Sequence, residues 1–110
     1  MKNATKEEQA LIIKIRLLGG AMGSNQERAN IQSLEDGLQQ VIKAATAGEL
    51  DGDEFGDHVC TIYLYGPDAD RLFEAAIPTL RQFDAPSGSS LIKRYGTPGA
   101  RQESVSLVCH

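Results

Sequence analysis

The sequence predicts an α+β domain, because alternating apolar strands and two amphipathic helices follow one another along 110 residues. The clearest strand covers residues 59–65, where Cys60, Ile62 and Leu64 fall on one face. Each helix is indicated by apolar residues spaced three and four apart. Glycines and prolines between these segments mark where each element begins and ends.

In the first half of the chain, residues 10–18 alternate as a strand, with Lys14 and Arg16 pointing away from the apolar face. Ser24 and Glu27 form a capping box that opens the first helix. Gly48 is predicted to stop this helix. The apolar stripe of the helix consists of Ile31, Leu34, Leu38, Val41, Ile42 and Ala45.

In the second half, a short and irregular edge strand is predicted over residues 49–55, before the strand over 59–65. Asp68 or Gly66 caps a second helix, which Pro78 is expected to kink or shorten. Two last strands, over residues 89–95 and 102–108, flank a type II turn with Pro98 and Gly99 at its centre. The stripe of the second helix consists of Leu72, Phe73, Ala76, Ile77 and Leu80.

The resulting order is β-α-β-β-α-β-β. It favours a ferredoxin-like β-α-β-β-α-β sandwich with an extra C-terminal hairpin strand, in which both helices cover one face of the sheet. We expect a single α+β domain over residues 10–110 and a disordered tail over residues 1–9, because that tail is polar.

The composition excludes several classes of protein. A formal charge of −4 is opposite to the basic footprint of nucleic-acid binders. No apolar run approaches the roughly 20 residues that cross a bilayer, so no membrane contact is expected. The polar start lacks a signal-peptide core, which predicts a cytoplasmic protein. Cys60 and Cys109 are then expected to remain thiols.

The acidic run over residues 51–57 is the densest negative charge in the chain. Asp51, Asp53 and Asp57 resemble a calcium loop only superficially, because such a loop needs oxygen ligands at positions 1, 3 and 5 and a glutamate at position 12, and Glu54 comes too early. Neither a metal nor a cofactor is therefore expected. The run is interpreted as a solvated edge strand that discourages pairing with other chains, or as a surface for a basic partner.

Catalytic residues are not predicted. His58 and Cys60 lie two apart, so on a strand they would share a face. Cys60 also alternates with Ile62 and Leu64, which indicates a buried and inert thiol rather than a nucleophile. Cys109 and His110 stand at the end of the chain, and the glycine-rich residues 19–23 are interpreted as a flexible connection.

The second face of the sheet carries tyrosines. Tyr63 and Tyr65 alternate with the apolar residues of their strand and are expected to share a face with Lys14 and Arg16. Tyrosine makes amphipathic contacts that suit protein interfaces. This face therefore predicts association with a partner or with a second copy as a homodimer, unless the C-terminal segment covers it.

Three segments resemble one family of proteins. Residues 51–56 read D-G-D-E-F-G, residues 61–70 read T-I-Y-L-Y-G-P-D-A-D, and residues 94–100 read R-Y-G-T-P-G-A. Together they resemble a family of small bacterial α+β proteins without assigned activity, over roughly residues 10–108. Size, acidity and the acidic loop give a looser similarity to immunity proteins, which block a toxin by binding its active site. The resemblance implies no catalytic residue.

The predicted function is a non-enzymatic protein-binding domain, an immunity protein that masks a basic toxin. Its expected partner-binding residues are Asp51, Asp53, Glu54, Asp57, Tyr63 and Tyr65. Acidic side chains would steer a basic partner and raise its association rate. The alternatives are a dimeric regulatory module that binds a small molecule at its interface or near residues 19–23, and an enzyme of another type.

Overall fold

The computed structural model describes residues 8–107 of the chain. Seven elements are present in these residues, two helices and five strands, and the predicted α+β class is confirmed. In chain order they are β1 (Gln9–Arg16), α1 (Asn25–Ala44), β2 (Glu49–Gly56), β3 (Val59–Gly66), α2 (Ala69–Phe83), β4 (Ser90–Arg94) and β5 (Gln102–Ser106).

The five strands form one antiparallel sheet in the order β2-β3-β1-β4-β5. β2 lies at one edge, as predicted, and its ladder with β3 shifts register between Leu50 and Gly52. The predicted C-terminal hairpin strand is β5, which pairs with β4 at the other edge. β1 begins at Gln9, whose side chain accepts a 2.8 Å hydrogen bond from the amide of Ala69.

One face of the sheet and both helices enclose the core. α1 packs on β2 and α2, and α2 packs on β1, β3 and β4. Across the two central strands Leu11 faces Leu64, and Ile13 faces Ile62. All four side chains are buried, which follows from the two-residue period of a strand. The helices contribute Ile31, Leu34, Leu38, Ile42, Leu72, Ala76 and Leu80 to the same core.

The N-terminus of α1 carries the predicted capping box. The hydroxyl of Ser24 accepts from the amide of Glu27, and the Glu27 carboxylate accepts from the amide of Ser24. That carboxylate also accepts from the amides of Leu18 and Gly19, at 2.7 and 3.0 Å. These backbone hydrogen bonds lower the pKa of Glu27. One side chain thus joins the end of β1 to the start of the helix.

Gly48 does not stop α1, contrary to the sequence prediction. The helix ends at Ala44, with Ala45 as its C-cap and Thr46 in a left-handed conformation at φ 52°. Gly48 instead lies against β3, where a Cβ would overlap the carbonyl oxygen of Tyr65. Only a glycine lets the two backbones approach this closely.

α2 begins as predicted, because the Asp68 side chain accepts from the amides of Asp70 and Arg71. The predicted shortening at Pro78 is wrong. The helix includes Pro78 and continues to Phe83, with Asp84 as a left-handed C-cap at φ 64°. Neither helix among residues 8–107 combines the length and apolar character needed to cross a membrane.

Two turns bear on the sequence predictions, one at Gly99 and one at His58. Gly99 has φ 101° and Ala100 donates to Thr97 at 2.9 Å, which confirms the type II turn. The prediction that His58 shares a strand face with Cys60 is wrong. His58 belongs to the two-residue turn between β2 and β3, where Asp57 and His58 both have positive φ, 53° and 67°. Two residues at positive φ are typical of the tight hairpin turn.

Replacement of Gly48 by alanine is expected to destabilise the protein more than the same change at Gly52. Both residues have positive φ, 153° and 159°. A Cβ at Gly52 would meet no atom of the described residues within 4 Å, whereas one at Gly48 overlaps Tyr65. Backbone strain alone costs about 1–3 kcal/mol. Gly52→Ala should therefore lower the free energy of unfolding by about that much, and Gly48→Ala should lower it clearly more. Urea unfolding followed by circular dichroism measures both. Equal losses would contradict the close approach.

Candidate functional site

The six residues predicted to bind a partner do not share one surface. Glu54, Tyr63 and Tyr65 lie on the sheet face opposite the helices, which we call the open face. Asp53 lies opposite Ile62 in the ladder, so it points to the helix side. Asp51 lies at the register shift of β2 and Asp57 in the turn after it. Three of the six residues thus share the open face, and Asp53 lies on the other side of the sheet.

On the open face the two tyrosines form a stacked pair. Their ring centroids are 6.4 Å apart and their planes differ by 8°. The Tyr63 hydroxyl donates to the Glu54 carboxylate at 3.1 Å. Desolvation, followed by this hydrogen bond and the Glu54 charge, raises the pKa of Tyr63. Tyr65 lies opposite Glu49 in the ladder, so an acidic side chain flanks each ring along the edge strand.

The open face also has a basic side, as predicted. Lys14 lies opposite Thr61 and Arg16 opposite Val59 in the ladder between β1 and β3. Residues directly opposite each other share a sheet face, so both cations lie on the same face as the tyrosines. Both side chains are exposed. The open face is therefore acidic along β2, aromatic along β3 and basic at the end of β1.

The acidic residues of β2 and its turn have no basic partner among residues 8–107. The ion pairs described there lie at the opposite edge, where Lys93 contacts Asp70 and Glu103, and Arg101 contacts Glu103. Arg94 donates to the carbonyl oxygen of Gly96 at 2.8 Å. The carboxylates of β2 and its turn are therefore not neutralised by ion pairs with the described residues.

Two exposed apolar side chains lie near the acidic turn. Leu18 is 69% exposed and Met22 is 51% exposed. Backbone hydrogen bonds hold their loop against the turn: the amide of His58 donates to Ala21 at 3.0 Å, and Leu17 donates to His58 at 2.7 Å. This end of the sheet therefore combines apolar side chains with the acidic side chain of Asp57.

On the helix side, Glu35, Asp53 and Cys60 form a cluster that the sequence analysis did not predict. Their carboxylate oxygens and the thiol sulfur all lie within 4.8 Å of one another. α1, β2 and β3 each supply one member. Glu35 and Cys60 are buried, as predicted for Cys60, whereas Asp53 is exposed. The guanidinium of Arg28 lies 4.6 Å from the ring centre of Phe55, the residue opposite Cys60.

Burial changes the protonation of this cluster. Desolvation, a hydrogen bond with Asp53 and the charges of Asp53 and Asp36 raise the pKa of Glu35 to about 8. Desolvation and the charges of the nearby carboxylates raise the pKa of Cys60 to about 12. The charge of Arg28 lowers this pKa, but by less than the other causes raise it. A thiol with such a pKa is protonated at neutral pH and is a poor nucleophile.

One sequence signal could have revealed the cluster. Glu35 follows Ile31 by four residues and precedes Leu38 by three, so it belongs to the apolar stripe of α1. A carboxyl group at such a position must be buried with a partner or protonated. The partners themselves lie on other elements and could not be identified from spacing.

A groove of about 590 Å³ opens between the two helices near the end of β1. Its walls include Leu17 and Glu27, next to the glycine-rich residues 19–23, and Phe83 and Asp84 at the end of α2. Its volume lies in the range of small-molecule sites, which have mostly apolar walls and a few polar groups.

Comparisons with known proteins give no relative. No protein-family model matches the chain, no curated protein matches it, and no solved structure matches it. The candidate sites therefore rest on the geometry of this chain alone.

Glu35 is expected to make stability fall as pH rises. Its pKa is about 8 in the folded protein and near 4.5 in an unfolded chain, so the folded state binds more protons between these values. The free energy of unfolding should decrease from about pH 4.5 to about pH 8, by about 2–4 kcal/mol, and then level off. Urea unfolding in chelator-containing buffers across this range measures the slope.

Glu35→Gln should flatten this slope, because glutamine does not titrate. Glu74→Gln, the same change at an exposed position of α2, should keep it. A Glu35→Gln profile as steep as that of the unmodified protein would contradict the assignment.

Proposed function

We propose that this chain is a non-enzymatic binding domain that recognises a basic protein through its open face and the acidic edge strand β2. The observation that carries the proposal is the stacked, half-exposed pair of Tyr63 and Tyr65 beside carboxylates that have no basic partner among the described residues. Stacked tyrosines offer a large contact area with little conformational entropy to lose.

The acidic side chains would act on the rate and specificity of binding. Charges at the rim of an interface steer a partner of opposite sign and repel partners of the same sign. Glu54 is already held by Tyr63, so it is oriented before a partner arrives. The exposed Leu18 and Met22 would add apolar anchors at the end of the sheet.

We also infer a ferredoxin-like arrangement with one added strand. In support, β3 pairs with both β1 and β2, and each helix connects two strands that are not neighbours in the sheet. β5 is the departure from a four-stranded pattern, because it extends the sheet beyond β4. In this arrangement the helices leave one sheet face available for a partner.

The specific form of the proposal is an immunity protein that masks a basic toxin. A basic active site is blocked effectively by a rigid acidic surface, since complementary charge gives fast association and tyrosines give a slow release. The loose similarity in size and acidity to such proteins agrees with this form. Its expected partner is a basic protein encoded by the gene next to the one for this chain.

The test is a binding titration with the basic protein encoded beside this chain. Binding is expected to weaken as salt is raised, because the acidic rim is screened. Glu54→Lys should weaken the complex by about tenfold or more through charge repulsion. Tyr63→Ala should have a similar effect by removing a contact of the interface centre.

Glu74→Lys is the matched control, because it makes the same charge change at an exposed position of α2. It should leave the affinity within about twofold of the unmodified protein. Equal losses for Glu54→Lys and Glu74→Lys would refute binding through the open face. A complex insensitive to both Glu54→Lys and Tyr63→Ala would also refute that surface, and the absence of any complex would refute the function itself.

A second candidate, a small-molecule module, is favoured by the groove of about 590 Å³ near residues 19–23. A metabolite that binds there should raise the melting temperature of the protein. Ser33→Phe, on the groove wall, should remove this shift, whereas Gln39→Phe, at an exposed position outside the wall, should retain it. A metabolite panel without any shift would eliminate this candidate.

A further inference from the structure

We propose that Glu35, Asp53 and Cys60 form a binding site for a thiophilic divalent cation, with Zn²⁺ as the ion that the donor set fits best. The site lies on the helix side of the sheet. It is separate from the open face, and it does not depend on the proposed function.

The first observation is the convergence of three donors from three elements. One atom each of Glu35 on α1, Asp53 on β2 and Cys60 on β3 lies within 4.8 Å of the other two. Around a tetrahedral Zn²⁺ ion, with bonds of about 2.0–2.3 Å, ligand atoms lie about 3.5 Å apart. The three side chains therefore need to close by only about 1 Å to share an ion.

The second observation concerns Glu35 alone. Its side chain is almost completely buried, with the residue 8% exposed, and its Oε2 atom has no hydrogen-bond partner among the described residues. Buried polar atoms are normally paired, because an unpaired one loses its hydration without compensation. A cation between Glu35, Asp53 and Cys60 would compensate the buried carboxylate of Glu35 for this loss.

The donor set selects the type of ion. Ca²⁺ and Mg²⁺ prefer sites made only of oxygen, whereas a thiolate favours Zn²⁺ and other thiophilic metals. Two carboxylates and a thiolate carry three negative charges. A divalent ion together with the guanidinium of Arg28, whose charge acts on Cys60, balances them.

Coordination involves no redox step. The sulfur of Cys60 donates an electron pair to the ion as a thiolate, and Glu35 binds as a carboxylate. The proton of the thiol and the proton of the Glu35 carboxyl group both pass to the buffer. Three protein ligands leave the fourth position of a tetrahedral ion for water. Asp53 is exposed at the edge strand, so the ion reaches the cluster from the solvent beside β2.

The experiment uses the full chain with Cys109→Ser and His110→Ala, because a terminal thiol and imidazole can themselves bind Zn²⁺. Zn²⁺ affinity is measured by competition with a chromophoric chelator. Co²⁺ is then substituted, because its thiolate complexes show a near-ultraviolet charge-transfer band that carboxylate complexes lack. One equivalent of Zn²⁺ and a Co²⁺–thiolate band are expected.

Cys60→Ser should abolish the band, and Asp53→Asn and Glu35→Gln should each weaken Zn²⁺ binding at least about tenfold. Asp51→Asn is the matched control on the same strand and should keep both band and affinity. Thermal melts of the metal-free variants establish that each is folded, and Glu35→Asp replaces Glu35→Gln if the latter is not. Loss of the Zn²⁺-induced rise in melting temperature provides an independent readout.

Three results would overturn the proposal. They are no stoichiometric Zn²⁺ binding by the chain with the two terminal substitutions, a Co²⁺ complex without a thiolate band, and equal losses of affinity for Asp51→Asn and Asp53→Asn. The last result would mean that general negative charge on β2 attracts the ion, without a defined site.

Discussion

The antiparallel register between β1 and β3 is the constraint on which the rest of the structure depends. It places Leu11 against Leu64 and Ile13 against Ile62, and these pairs form the side of the core that the sheet contributes. Because side chains alternate along a strand, a slip by one residue would move the whole apolar set to the solvent. The burial of these residues therefore fixes which face every other residue of the two strands occupies.

The same register separates the two candidate sites. Cys60 faces the helices and Tyr63 faces the solvent because they are an odd number of residues apart on β3. The edge strand β2 is aligned on β3, so Glu54 joins the tyrosines whereas Asp53 joins Glu35 and Cys60. Neighbouring acidic residues thus have different environments: Glu54 is held by a phenol, and Asp53 lies at the mouth of a buried cluster.

Sequence reasoning succeeded where the determinants are local. The capping box of Ser24 and Glu27 and the type II turn of Pro98 and Gly99 depend on residues within one turn of chain, and both are present. Gly48 was misassigned because the backbone there passes so close to β3 that only glycine fits. No local sequence pattern encodes this contact. His58 was misassigned because strand alternation was applied to a residue that precedes β3, where the positive φ of Asp57 and His58 turns the chain. The grouping of Glu35 with Asp53 and Cys60 depends on the packing of α1 over the sheet edge, so spacing along the chain could not show it.

The pairing of β1 with β3 separates the buried thiol of Cys60 from the half-exposed pair of Tyr63 and Tyr65. Residue-resolved chemical labelling tests it most directly, with tyrosine iodination and cysteine alkylation located by mass spectrometry in the folded, metal-free protein. The account predicts iodination of Tyr63 and Tyr65, and alkylation of Cys60 only after unfolding. Rapid alkylation of Cys60 in the folded protein, with both tyrosines protected, would contradict it.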